Sequence, residues 1–222
     1  MPNPEQLIIL GTGGTSVDIL DAIVDINEAA GRIVCQPIGF LDDDPDKWNT
    51  AQHGIPVLGP IKSASDYPEA CFINGISSPG SFRKREEIIA LSGVAPERFA
   101  TIVHPTASVS TMAQIGVGTV ILQNATICST AEIGHHVTVL PACIISHDCR
   151  IGDYTAIAGG ACISGCVTVG RGCYIGTGCA IKEKVTIGDG ALVGMGSVVL
   201  HDVPAGGVVV GNPARPLRRT EN

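Results

Sequence analysis

Hydrophobic positions in the second half of this chain keep a strict period of six. From Val103 to Val199 every sixth residue is Val or Ile, 17 positions without a break. A strand alternates with period 2 and a helix with 3.6, so neither element alone gives a six. A chain that turns a corner every six residues does, and three such sides close one coil of a triangular prism. The spacing predicts a parallel β-helix of hexapeptide repeats, with residues 103–222 holding the prism and a C-terminal strand and turn that close it. At 18 residues per coil and about 4.8 Å between parallel strands, the prism is roughly 25 Å long. The pairs Ile115-Gly116, Ile133-Gly134, Ile151-Gly152, Val169-Gly170 and Ile187-Gly188 recur 18 apart. A glycine at that fixed step is expected to permit a corner conformation that a side chain would strain.

The first 102 residues follow a different rhythm. An apolar run at 7–10 ends in Gly11-Thr12-Gly13-Gly14-Thr15, and helical spacing follows through Val17, Leu20 and Ile23. A second run near 33–41 ends in Asp42-Asp43-Asp44. Strand, Gly-rich turn, helix, strand and acidic turn read as a βαβ unit. A turn with a short Pro-Val-Leu segment at 54–59, a strand at 71–76, a helix near 81–92 and a strand near 99–103 complete a small, Rossmann-like α/β domain, residues 1–102. Strict Gly-x-Gly-x-x-Gly spacing is missing, so a nicotinamide cofactor is weakly supported. The Gly-rich turn and the acidic turn fall at strand ends, where open α/β sheets bind ligands.

Charge sharpens this division. Residues 1–102 carry 14 acids and 7 bases, while residues 103–222 carry seven of each. No basic stripe of the kind that grips nucleic acid is present. Backbone N–H groups at a helix start can still hold a phosphate. No signal peptide and no 18-residue apolar span are visible, which reads as a soluble, cytoplasmic protein without membrane insertion. Of nine cysteines, Cys143, Cys149, Cys173 and Cys179 stand four residues after a period-six position, where other coils place Ala, Thr, Val or Ser. They are expected to be small core residues.

On an apolar prism the polar corners carry the chemistry. His147-Asp148 follows Ile145 at an outward corner, and an imidazole oriented by a carboxylate can take a proton near neutral pH. One coil later the same corner holds Gly165, whose bare backbone can bring an N–H to a reacting carbonyl. A surface histidine beside a solvated aspartate is the plainer alternative. His135 and His136 are expected to face solvent or a neighbouring subunit, and His104, in Val-His-Pro, to be structural.

Five segments, Leu-Ile-Ile-Leu-Gly-Thr-Gly-Gly-Thr (7–15), Phe-Leu-Asp-Asp (40–43), Val-His-Pro-Thr-Ala (103–107), Ile-Ser-His-Asp-Cys-Arg-Ile-Gly (145–152) and Val-Val-Gly-Asn-Pro-Ala-Arg (209–215), resemble the bacterial sugar O/N-acyltransferase family across nearly the whole chain. That family includes sialic acid O-acetyltransferases and the bacillosamine-pathway and perosamine N-acetyltransferases. The resemblance implies a left-handed β-helix, a homotrimer, and acetyl-CoA as donor in a groove between prisms, with no metal. It implies His147 as general base, Asp148 as its modulator and Gly165 as a backbone contact near acceptor or thioester. Thr177, Gly194 and Met195 would line the coenzyme groove. Gly13, Gly14, Thr15, Asp42, Asp43 and Gly75 would hold a nucleotide-linked sugar. Two positions depart from the family pattern: Thr15 replaces a histidine of the first turn, and Ala156 stands where many members carry a second histidine nine residues after the base.

The expected reaction is acetyl transfer to an amino or hydroxyl group of the sugar. Two rivals are a zinc hydro-lyase resembling the γ carbonic anhydrases, with His135, His136 and His147 as candidate ligands, and a sugar-nucleotide-binding protein without turnover.

Overall fold

A computed structural model describes residues 4–217. The buried run of the first half forms β1 (Glu5–Leu10), followed by α1 (Gly14–Ala30), β2 (Cys35–Leu41), β3 (Ala51–Gln52), β4 (Ile55–Gly59), β5 (Cys71–Asn74) and α2 (Arg85–Leu91). The sheet order is β3-β4-β2-β1-β5, parallel except for β3. Helix α1 stops at Gly31, whose φ of 63° lets the chain reverse. Gly31 and Arg32 return hydrogen bonds to the carbonyls of Glu28 and Asn27, the double bond of a Schellman ending. The Asn27 side chain then bonds Val34 and Cys35, fastening the helix end to the start of β2.

Two expected elements differ. The strand near 99–103 is only Ile102–Val103, and it belongs to the first coil, paired with Val120–Ile121. Phe99 makes a single bridge to Phe72, so the sheet ends there. The expected helix near 81–92 opens as a 3-10 turn, Phe82–Lys84, before α2.

From Ile102 onward the chain winds through two-residue strands stacked into three parallel sheets. Each partner is 18 residues away, as in Ile133↔Ile151 and Ile145↔Ile163. The period-six residues from Ile121 to Val199 are buried in one continuous core. Val103, at the open end with no coil beneath it, is 38% exposed. Cys143, Cys149, Cys173 and Cys179 are buried in that core, and burial raises each thiol's pKa, to about 12 at Cys179. After the last coil, Val208–Val210 adds in parallel and Arg215–Pro216 antiparallel to one sheet.

The 18-residue glycines have a different reason from the expected one. A Cβ on Gly152 would lie 2.6 Å from the Arg171 backbone nitrogen, and one on Gly170 would lie 2.7 Å from that of Asp189. Close stacking of coils requires these glycines, and none has positive φ. The strained corners fall elsewhere. Every sixth residue from Gly118 to Gly196 has φ between 54° and 72°, and eight of these 14 are not glycine.

The α/β part packs on one sheet of the prism. Arg85 is 1% exposed and donates to the carbonyls of Ile76 and His136 and to Thr138 Oγ1. Burial lowers its pKa to about 10. Arg171 pairs with Glu86 and Asp153 and lies over the Tyr154 ring. Among the described residues no helix is long and apolar enough to cross a membrane.

Candidate active site and substrate pocket

The turn after Ile145 presents an oriented base. His147 Nδ1 lies 2.8 Å from Asp148 Oδ2, and the other carboxylate oxygen accepts from Thr130 Oγ1 at 2.7 Å. Those hydrogen bonds hold the Asp148 carboxyl below the usual carboxylate range, with Thr130 the larger contributor. An ionised carboxylate can only accept, so the ring proton sits on Nδ1 and the Nε2 lone pair is left free. Asp148 reaches this position because it is the left-handed residue of its turn, φ 58°. Gly165 lies directly beside the ring: a Cβ there would be 2.7 Å from both Cε1 and Nε2 of His147. His147, Asp148 and Gly165 thus form one cluster, open to solvent.

A second site lies where β1, β2 and β5 end. A cleft of about 560 Å³ is lined by Gly11 to Thr15, Asp42, Asp43 and Gly75 to Ser78, with Ser81, Ile88, Leu140 and Tyr174 closing it from the other side. This is the reversal point of the strand order, where open α/β sheets bind ligands. All six residues expected to hold the sugar nucleotide line the cleft. Gly13 and Gly14 open α1 without a side-chain cap and with no acidic residue in the first turn. A Cβ on either would meet nothing within 4 Å, so a ligand can approach the helix start closely.

The other four residues differ in their freedom. Asp42 accepts from the Thr12 amide and hydroxyl, the Asp44 amide and Lys47 Nζ. Burial pushes its carboxyl up, but these bonds outweigh it and hold the group below its usual range. Asp43 accepts from the Ile61 amide. Thr15 is bound to Ser77 Oγ at 2.6 Å, tying the first turn of α1 to the loop after β5. Gly75 is buried, and a Cβ on it would fall 2.1 Å from Ser16 Oγ. Gly75 therefore allows α1 to approach β5.

Sequence reasoning missed Ser77, Ser78, Ser81, Leu140 and Tyr174. The Ser-Ser-Pro-Gly-Ser run just after β5 was the available signal for the serines. Leu140 and Tyr174 come from the coils, and only the packing of the two parts brings them to the cleft; Tyr174 is held by Phe82, ring centroids 5.8 Å apart.

Thr177 and Met195 are exposed and stand one coil apart, beside the partly buried Gly194. They occupy the corner after Ile175 and Val193, whereas His147 and Gly165 occupy the corner after Ile145 and Ile163. One protomer thus carries the coenzyme candidates Thr177, Gly194 and Met195 apart from Gly165. Ala156 is buried in its strand between Thr138 and Tyr174 and presents no polar group.

One histidine was misjudged. His136 is buried, stacked on Tyr154 at 5.2 Å and edge-on to Phe99 at 4.7 Å. The α/β part covers the corner that the period-six pattern placed outside. Burial, reinforced by Arg85 and His135, lowers its pKa to about 4. His135 is exposed and accepts from the Val117 amide through Nδ1. His104 is buried, with Nε2 2.7 Å from Asp25 Oδ2 on α1.

Comparisons with known proteins agree with this architecture. The family model of the PglD N-terminal domain matches residues 6–90, and that of the bacterial transferase hexapeptide (six repeats) matches residues 166–203. No curated protein matches by sequence. Among solved structures, the acetyltransferase domain of PglB from Neisseria gonorrhoeae, in complex with acetyl coenzyme A, is 25% identical with a TM-score of 0.82, over 97% of this chain and 100% of that one. PerB from Caulobacter crescentus, in complex with CoA and GDP-perosamine, is 25% identical with a TM-score of 0.82, over 96% and 97%. WeeI from Acinetobacter baumannii is 28% identical with a TM-score of 0.80, over 96% and 100%. With both parts matched in order and nearly the whole chain superposed, the protein is built like the sugar acetyltransferases it is similar to, an α/β domain followed by a left-handed β-helix of hexapeptide repeats.

Proposed function

We propose that the protein transfers the acetyl group of acetyl-CoA to an amino group on a nucleotide-linked sugar, with His147 as general base. The observation that carries this reading is the His147 ring, fixed through Nδ1 by Asp148 with Nε2 free against Gly165. The bound ligands of the similar structures, acetyl coenzyme A in one and CoA with GDP-perosamine in another, support the substrate class.

The sugar amine attacks the thioester carbonyl, and a C–N bond forms as the nitrogen's proton passes to Nε2. A backbone N–H stabilises the oxyanion. Collapse breaks the C–S bond, and the imidazolium returns the proton to the departing thiolate. A positioned base of this kind is worth about 10²- to 10⁴-fold in rate.

In this reading residues 1–102 form the sugar-nucleotide domain and residues 103–222 the transferase domain. The cleft holds the nucleotide, with its phosphates at the uncapped start of α1. The cleft and the His147 corner share no residue, so a homotrimer in which one protomer's cleft faces a neighbour's His147 completes the site. Thr177, Gly194 and Met195 then line the coenzyme groove. The setting is cytoplasmic, where acetyl-CoA and nucleotide sugars are made.

The zinc reading loses its ligand set, because His136 is enclosed by Phe99 and Tyr154. Replacing His147 with Ala tests the base: kcat should fall by about 10²- to 10⁴-fold while the assembly and acetyl-CoA binding persist. Near-normal kcat would remove His147 from this role.

A further inference from the structure

Cys166 sets this corner apart from the rest of the prism. Four other coil cysteines are buried and point into the core, but Cys166 is exposed. It follows Gly165 and is the left-handed residue of its turn, φ 60°, as Asp148 is one coil earlier. Its amide donates to the His147 carbonyl at 3.0 Å, so the two turns are stacked and held in register. As a result an imidazole nitrogen, a carboxylate oxygen and a thiol sulfur lie within 4.8 Å of one another.

We infer that His147, Asp148 and Cys166 form a site for a borderline-soft divalent cation of the Zn²⁺ type, and that its occupation switches the enzyme off. Nitrogen, oxygen and sulfur donors are the set such an ion takes, with a fourth position left to water. Zn–N and Zn–O bonds of about 2.0–2.2 Å and a Zn–S bond of about 2.3 Å require the three exposed groups to close slightly, which side-chain rotation supplies. Binding releases the thiol proton to solvent and leaves a thiolate on the metal. On Nε2 the ion occupies the lone pair that would accept the substrate's proton. On Nδ1 it displaces the proton held by Asp148, which moves to Nε2 and fills the lone pair that would accept the substrate's proton. Either way the base is lost, so the ion is an inhibitor. This inference rests on the reading of His147 as base only for its effect on turnover; the site itself stands on the three donors.

The test uses the full-length protein purified without a His tag. Co²⁺ titration should produce the charge-transfer absorption of a cobalt–thiolate bond, and Cys166→Ala should abolish it. In the thiol-release assay Zn²⁺ should inhibit the wild type reversibly, with activity restored by a chelator. Cys166→Ala should keep its metal-free rate and need on the order of 100-fold more Zn²⁺ for the same inhibition, the upper range for loss of a metal-site partner. A cobalt–thiolate band that survives in Cys166→Ala, or equal Zn²⁺ sensitivity of the two proteins, would overturn the site. A band that depends on Cys166, together with turnover indifferent to Zn²⁺, would keep the metal site and remove His147 as the base.

Discussion

Asp148 does two jobs that the sequence could not separate. Its carboxylate bridges Thr130 of the preceding coil and the His147 ring, while its backbone takes a left-handed turn conformation. Asp and Asn tolerate that conformation better than most residues. The residues of the base were legible because an outward His-Asp pair is conspicuous on an apolar prism. The ring's exact neighbour was only half legible: Gly165 could be placed one coil on, but not so close that a Cβ on it would fall 2.7 Å from Nε2. Gly165→Ala should therefore displace the imidazole and lower kcat by about 10²-fold, the cost of a misplacement near 1 Å, with little change in the unfolding midpoint. An unchanged kcat would mean that the ring position does not matter.

His136 makes a second prediction at this scale. Its pKa is lowered to about 4 from an ordinary value of 6.5. Between those values the unfolded chain binds more protons than the folded one, so stability rises with pH. That stability is complete above about pH 6.5 and is lost as pH falls towards 4, by at most roughly 3 kcal/mol. Denaturant unfolding at pH 7 and pH 4.5 should show a smaller pH slope for His136→Phe than for the wild type. Identical slopes would show that His136 is not the group responsible.

At the scale of elements, the period-six pattern located every side of the prism, because an inward column admits only Val, Ile and small residues. The glycines were legible in position but not in cause. Two adjacent kinds of corner residue look alike in sequence: those pressed against the next coil, and those with positive φ. The second kind accepts Asn, Thr, His, Ala, Asp, Tyr, Cys and Lys in this chain, so composition hides it. The distinction can be measured. Gly172→Ala, at φ 59° with open space around it, should cost about 1–2 kcal/mol. Gly152→Ala, which meets backbone on the next coil, should cost about 3 kcal/mol or more, since backbone cannot move aside as a side chain does. Equal shifts in denaturant midpoint would contradict the stacking account.

For the whole molecule, the docking of the α/β part on the prism was the least legible feature. It depends on Arg85, His136, Tyr154 and Phe99 meeting across long sequence separations, and no local pattern encodes that. The same docking brings Leu140 and Tyr174 to the cleft, so it shapes the site as well as the core. Because the cleft lining includes neither His147 nor Gly165, complementation between variants is expected if a neighbour supplies the base. A cleft-blocked Gly14→Trp protein and a His147→Ala protein should each be silent alone, yet give turnover when co-expressed and purified as mixed assemblies. Mixed assemblies as silent as the parents would place cleft and base in the same protomer.

Acetyl transfer to a sugar amine frees the thiol of CoA, which a thiol-release assay reads. Given a panel of nucleotide-linked amino sugars and their hydroxyl counterparts, the wild-type protein should release CoA with at least one amino sugar. The product should be heavier by one acetyl group in the mass spectrum, and His147→Ala should abolish both signals. Release with none of the amino sugars, or equal release by His147→Ala, would contradict the account.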